Sequence, residues 1–348
     1  MKNSNITLPT FVVHADWGSN PKKRWITQAR LSADGTYQIT VPILVGKPDT
    51  LISRILKGLP PGEAVLLGFD FPIGLPLTYA QRCGIEDFLD LLPQLGQGKW
   101  RNFYHPAEEP DEIKLTRPFY PQRPGHARQS YLLSALGVHS MDELRRVCEL
   151  AHSGRRAAAP LFWTLGGQQV GKAAINGWRD VLGPALKQTA ARIAIWPFSG
   201  QLSKLLSARR FIVAETYPAE FYKHLGVEFP VRKGRLSSSF LSAGTGKRSQ
   251  AARAANAGVL LDWAGGNQVA LDPQMQSAIL NGFGPSPEAE DPFDAMIGLF
   301  GTLNVLLGKH LPGELPTAEL LTKRIRNIEG WILGQEVPAS FPRWLGPP

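Results

Sequence analysis

The stretch AVLLGFDFPIGLP, Ala64 to Pro76, decides the fold of this chain. Val65, Leu66 and Leu67 follow one another with no polar residue between them. That predicts a strand buried on both faces, in the middle of a sheet covered by helices. Asp70 then stands alone, one residue past Phe69. An ionised carboxylate left unpaired in such a place costs on the order of several kcal/mol, so it must leave the core or meet a cation. Pro72 and Gly74 break the strand just after it, which puts Asp70 at a carboxyl end. In open α/β sheets that edge is where ligands bind. The competing reading is a plain one: Asp70 turns the chain before Pro72.

Upstream, Phe11-Val-Val-His-Ala is a short apolar strand that delivers Asp16, and Trp17 to Pro21 is a turn. Arg24 to Leu31 and Thr36 to Leu44 are predicted as two further strands, joined by the Asp34-Gly35 hairpin signal. Asp49 to Leu59 has helical spacing of Leu51, Ile52, Ile55, Leu56 and Leu59. An antiparallel meander, a helix crossover and a parallel strand ending in Asp70 are the expected order. Downstream, Arg210-Phe-Ile-Val-Ala is another apolar strand, and it ends in Glu215. Residues 77–207 carry helical patterns, aromatics and Pro and Gly breaks, and are predicted to be a mainly helical insertion. Helices are expected over Asp142–His152 and Gln201–Leu206, and after the Leu165–Gly171 turn through Trp178. Others are expected over Ser249–Trp263, from Glu288 onward, and over Thr317–Ile328.

The 348 residues are 43 % apolar, enough for a full core, and carry a net charge of +9. Nine Lys and Arg against one acid lie in Ser153–Arg210, and six against none in Phe229–Leu261. Such a basic half attracts polyanions, or simply keeps a surface solvated. Two cysteines, Cys83 and Cys148, make no disulfide framework. With no apolar signal core in MKNSNITLPT and no run of ~20 apolar residues, a reduced, cytoplasmic protein without membrane spans is expected. The loop Ser237 to Arg248 looks like a phosphate-binding loop but fails the pattern. Arg248 follows Gly246-Lys247 where Ser or Thr is required, and Leu241 fills the leading Gly position.

Three strands thus end in a lone acid, Asp16, Asp70 and Glu215, and a late helix opens with Asp291 and Asp294. Carboxylates brought together repel and raise one another's pKa, and a divalent cation removes the conflict. Mg²⁺ prefers hard oxygens and accepts one or two carboxylates plus a phosphate. Two ions about 3.5–4 Å apart can activate water and stabilise the leaving oxygen in phosphodiester cleavage. Asp291-Pro-Phe-Asp294 also suits a helix start, with Asp291 as N-cap. Beyond that turn, Gly298 and Gly301 share a face with Asp294 and would let the helix approach the sheet. His14 lies on the strand before Asp16 and, by alternation, on the same side of the sheet.

This order of elements resembles the ribonuclease H-like fold, and the two acids on the final helix are similar to those of RuvC-type junction resolvases. More closely, Asp70-Phe-Pro-Ile-Gly, Glu215-Thr-Tyr-Pro-Ala-Glu and Asp291-Pro-Phe-Asp-Ala resemble a bacterial and archaeal family of predicted RNase H-like nucleases. The resemblance covers roughly residues 10–76 and 209–335. It implies a mixed five-stranded sheet flanked by helices as one domain. The core would be 10–76 and 209–308, the insertion 77–207 and a C-terminal extension 309–348. It implies Asp16, Asp70, Glu215 and Asp294 as catalytic metal ligands with Asp291 beside them, Mg²⁺ or Mn²⁺ as cofactor, and Lys247 and Arg248 as contacts to nucleic acid. Two other readings use the same residues. An ATP-dependent phosphotransferase of the actin and sugar-kinase type would use Asp16-x-Gly18-Ser19 as its phosphate loop, but Asp70-Phe-Pro-Ile-Gly74 supplies no second such loop. A nucleic-acid-binding protein without turnover would use the basic surface alone.

Overall fold

The computed structural model describes residues 7–60, 62–152, 155–165, 170–189, 192–208, 210–229, 246–316 and 319–345. Among the described residues the centre is a mixed sheet of eight strands. The strands are β1 (Phe11–Asp16), β2 (Trp25–Leu31), β3 (Tyr37–Ile39), β4 (Ile43–Leu44), β5 (Val65–Phe69), β6 (Ile193–Trp196), β7 (Phe211–Glu215) and β8 (Val269–Leu271). They lie in the order β6-β7-β5-β1-β2-β3-β8, with β4 also on β2. β1, β2 and β3 form the expected antiparallel meander, and β5 runs parallel to β1. β7 and β6 continue the parallel half. β1, β5, β6 and β7 are buried along their whole length, because helices and the inserted chain cover both faces. In β3 only Gln38 is exposed, between buried Tyr37 and Ile39, so the sheet faces water on one side there.

Eight strands replace the five expected. β6 comes from within 77–207, which is therefore not purely helical. Its four residues Ile-Ala-Ile-Trp are too short for periodicity to separate a strand from a buried helical turn. β8 adds parallel to β3 at the far edge. The single strand expected over Thr36–Leu44 is two, because Pro42 has no N–H to donate between them. The helix expected over Asp142–His152 is instead two 3-10 turns, Met141–Leu144 and Val147–Glu149. Arg145 and Arg146 between them are extended, and the Arg146 side chain is drawn into the core. The Ser249–Trp263 helix is broken into Gln250–Ala254 and Ala257–Gly265. At the break the Asn256 amide bonds the backbone N–H and C=O of Glu228. The Leu165–Gly171 turn and the Ser237–Arg248 loop lie largely outside the described residues.

The helix Glu290–Leu306 is the main support of the sheet. Every residue from Pro292 to Leu306 is buried, and it lies on β1 and β2. Its glycines explain the close approach. A Cβ on Gly298 would run into the His14 ring of β1, and one on Gly301 into the Phe221 ring of the helix Pro218–His224. The helix starts at Glu290, with Ala289 before it, so Asp291 is not its N-cap. Among the described residues no helix is long and apolar enough to cross a membrane.

Candidate functional site

β1 and β5 are paired in parallel register, His14 with Gly68 and Ala15 with Phe69. The next residues are Asp16, the last of β1, and Asp70, just past β5, and the Asp70 N–H donates to the Ala15 carbonyl at 3.3 Å. The two acids therefore stand side by side at the carboxyl edge. Trp17 fixes Asp70 from the other direction. Its backbone N–H donates to Asp70 Oδ1 at 2.6 Å. That N–H is held in place because the indole packs edge-on against Phe69 and Phe71, with the Arg24 guanidinium over its face.

Asp294 belongs to the same group. Tyr222 Oη donates to its Oδ1 and Lys247 Nζ to its Oδ2. Asp16 is 8 % exposed and Asp294 4 %. Burial pushes the Asp16 carboxyl well above the usual range, and the charges of Asp70, Asp294 and Asp291 push the same way, while Lys247 opposes them. Burial raises Asp70 to about 7; the Trp17 N–H holds it down somewhat and Asp294 adds to the rise. Asp291 is raised to about 6, by burial first, although Lys23 Nζ lies 4.0 Å away. Partial desolvation works against Lys247, whose side chain is 43 % exposed, yet the Asp294 and Asp16 carboxylates raise it. One lysine thus faces an excess of negative charge. Arg248 stands outside the cluster, its side chain 69 % exposed and 3.4 Å from Glu290.

Glu215 is the correction. β7 pairs with β5 so that Glu215 is level with Phe69, not with Asp70. Side chains alternate along a strand, so Glu215 points to the opposite face of the sheet. There Arg146 binds it with both Nη atoms, at 2.5 and 2.6 Å, and the Ile73 N–H donates to it at 2.6 Å. Arg146 also holds Glu149 and the Glu329 carbonyl. This buried knot ties the inserted chain to the sheet and the C-terminal segment, and Glu215 is part of that, not of the acid pair. Thr216 is the residue of β7's end that shares Asp70's face. Its side chain lies where a Cβ on Gly68 would be, and its Oγ1 is buried with no partner among the described residues.

His14 is held down to about 3 by burial, so it is neutral, with Nδ1 3.1 Å from the Ala295 carbonyl. Its ring fills the slot that Gly68 and Gly298 leave open. Sequence reasoning missed Tyr222, Thr216 and Arg253. Arg253 is fully buried and donates to the carbonyls of Lys247, Gly282 and Gly284 at 2.6–2.8 Å, which positions Lys247. None carries a local signal; only register and packing bring them in.

All the donors at the acid pair are carboxylate oxygens, which suits a hard cation such as Mg²⁺ or Mn²⁺. Among the described residues no group of three or more His, Cys, Asp or Glu side chains is arranged to hold a metal ion. The fit is to a cation held by two carboxylates, Asp16 and Asp70, with other oxygens from solvent or substrate, the manner usual for Mg²⁺. No protein-family model matches the chain, and neither a curated protein nor a solved structure gives a significant match to it.

Proposed function

We propose that this chain is a divalent-cation-dependent phosphodiesterase acting on nucleic acid. The observation that carries the reading is the side-by-side pair Asp16 and Asp70 at the carboxyl edge of two parallel strands, with excess negative charge around it. The antiparallel meander β1-β2-β3 followed by β5 parallel to β1, with the late helix Glu290–Leu306 packed on β1, agrees with the resemblance to a ribonuclease H-like fold and supports the same reading. The net charge of +9 and the exposed Arg248 favour a polyanionic substrate.

Asp16 and Asp70 would hold the cation, Mg²⁺ or Mn²⁺. A bound cation of this kind supplies Lewis-acid activation and charge neutralisation at a phosphate. The chain's own groups do the rest. Trp17 N–H orients Asp70, Tyr222 and Lys247 orient Asp294, and Lys247 and Arg248 bring positive charge to the phosphate backbone.

Purified protein should cleave labelled DNA or RNA when Mn²⁺ is added, and Asp70→Asn should abolish this while leaving the fold intact. Undiminished cleavage by Asp70→Asn would remove the acid pair from the reaction. Saturable Mg-ATP binding without oligonucleotide cleavage would favour a phosphotransferase instead.

A further inference from the structure

A groove is lined by residues of β2, of the segment 273–284 and of the start of the helix Glu290–Leu306. Its cavity volume is about 590 Å³, within the range of small-ligand sites. Trp25, Phe283, Pro273 and Pro292 form flat apolar walls, and Gln274 and Ser277 add polar groups. Among the described residues no charged side chain lines it. Trp25 is the cross-strand partner of Asp16, and Pro292 stands between Asp291 and Asp294 in the supporting helix. Two of the lining residues are thus register or chain neighbours of Asp16 and Asp291.

Phe283 is held in an unusual way. Its φ is +60°, a region that costs a non-glycine residue of this bulk free energy and persists only when the surroundings enforce it. Arg253 enforces it, donating to the carbonyls on either side, Gly282 and Gly284. The same guanidinium donates to the Lys247 carbonyl, so the aromatic wall and the lysine on Asp294 hang from one buried side chain. The Phe283 ring is further set by an edge contact with Phe293.

We infer that this groove receives one unpaired nucleobase of the substrate strand, so that the site acts on single-stranded nucleic acid. The inference rests on the phosphodiesterase reading and names its substrate class. A nucleobase is flat, uncharged and polar at its edge, which matches flat apolar walls, absent charge and a few amide and hydroxyl groups. A phosphate or an acidic peptide does not match an uncharged groove. Aromatic stacking of this kind tolerates any base.

The test is binding of short single-stranded oligonucleotides by fluorescence anisotropy in Ca²⁺, beside cleavage in Mn²⁺. One abasic position is walked along the strand. At one position the abasic change should weaken binding about tenfold. Phe283→Ala should weaken binding of the intact strand by a similar factor and make binding indifferent to that position. Trp25→Ala should do the same, and Phe283→Tyr should restore binding, which separates stacking from misfolding. Duplex of the same sequence should bind at least tenfold more weakly. Equal effects at every abasic position, or duplex binding as tight as single strand, overturn the inference even if cleavage is present. A position-specific abasic effect without cleavage supports the groove and sinks the phosphodiesterase reading instead. A dimer in sedimentation that Phe283→Ala dissolves would assign the groove to a second copy and overturn the inference.

Discussion

Asp16 and Asp70 stand side by side at the carboxyl ends of two neighbouring parallel strands, tied by the Asp70 N–H donating to the Ala15 carbonyl at 3.3 Å. Two carboxyls so placed, with Asp294 and Asp291 contributing further negative charge, favour a retained proton when no cation is bound.

Asp70→Asn tests that state. The folded Asp70 carboxyl titrates at about 7, above its unfolded value of about 3.9. Between these values the folded chain binds more protons than the unfolded one, so stability falls as pH rises through about 7. The amide removes that loss and can still accept from Trp17 N–H. Metal-free Asp70→Asn should therefore be more stable than the native chain at pH 8, by about 1–2 kcal/mol in urea unfolding. It should also lose the stabilisation that Mn²⁺ gives the native chain.

Lys247→Gln removes the cation that Asp294 already has. Its side chain is 43 % exposed, so the loss in the metal-free protein should be about 1 kcal/mol. Calorimetric titration should show Mn²⁺ binding several-fold more tightly, because a competing positive charge has gone. Weaker Mn²⁺ binding would mean that the lysine assists the cation site.

Glu215→Gln separates the two clusters. Removing one partner of a buried ion pair costs about 3 kcal/mol or more, and Arg146 is fully buried. Thermal unfolding should shift down, while Mn²⁺ affinity of the folded protein should be unchanged. A change in that affinity with unaltered stability would return Glu215 to the metal site.

Glu329 gives a second pH test, remote from the acid pair. Burial raises it to about 7, against the N–H groups of Val147 and Leu77 that donate to its two oxygens. Its unfolded value is about 4.3, so its contribution is fully present below that pH and is lost as pH rises through about 7. Glu329→Gln should flatten the fall in stability over that window, by at most about 1.4 kcal/mol per pH unit. Denaturant midpoints at pH 5 and pH 8 read it directly.

Gly298→Ala puts a methyl into the His14 ring. Overpacking of this kind costs typically about 1–3 kcal/mol. Because Asp294 sits one turn earlier on the same helix, metal affinity should fall together with the melting temperature.

Much of this was legible along the chain. Val65–Leu67, Phe11–Val13 and Phe211–Val213 read as buried strands because runs of apolar residues bounded by breakers have few other uses. The acids that end β1 and β5 were legible for the same reason, since a lone carboxylate after such a run must lie at the rim. Gly298 foretold the close approach of the helix Glu290–Leu306 to β1, whereas Gly301 meets Phe221 of a neighbouring helix rather than the sheet. Glu215 was misplaced because a strand's sequence does not state its register. One residue of offset moves a side chain to the other face, and only the pairing with β5 revealed Thr216 in its place. The 3-10 turns around Arg146 were missed because a buried guanidinium bound to Glu215 overrode a helical pattern. The sequence by itself determined which strands are central and that Asp16 and Asp70 each stand at the end of a buried strand, because burial and breakers act within a few residues. Only the tertiary structure decided which acids meet, which one Arg146 neutralises, and that Lys247, Tyr222 and Arg253 gather around Asp294, because these depend on contacts between segments far apart in the chain.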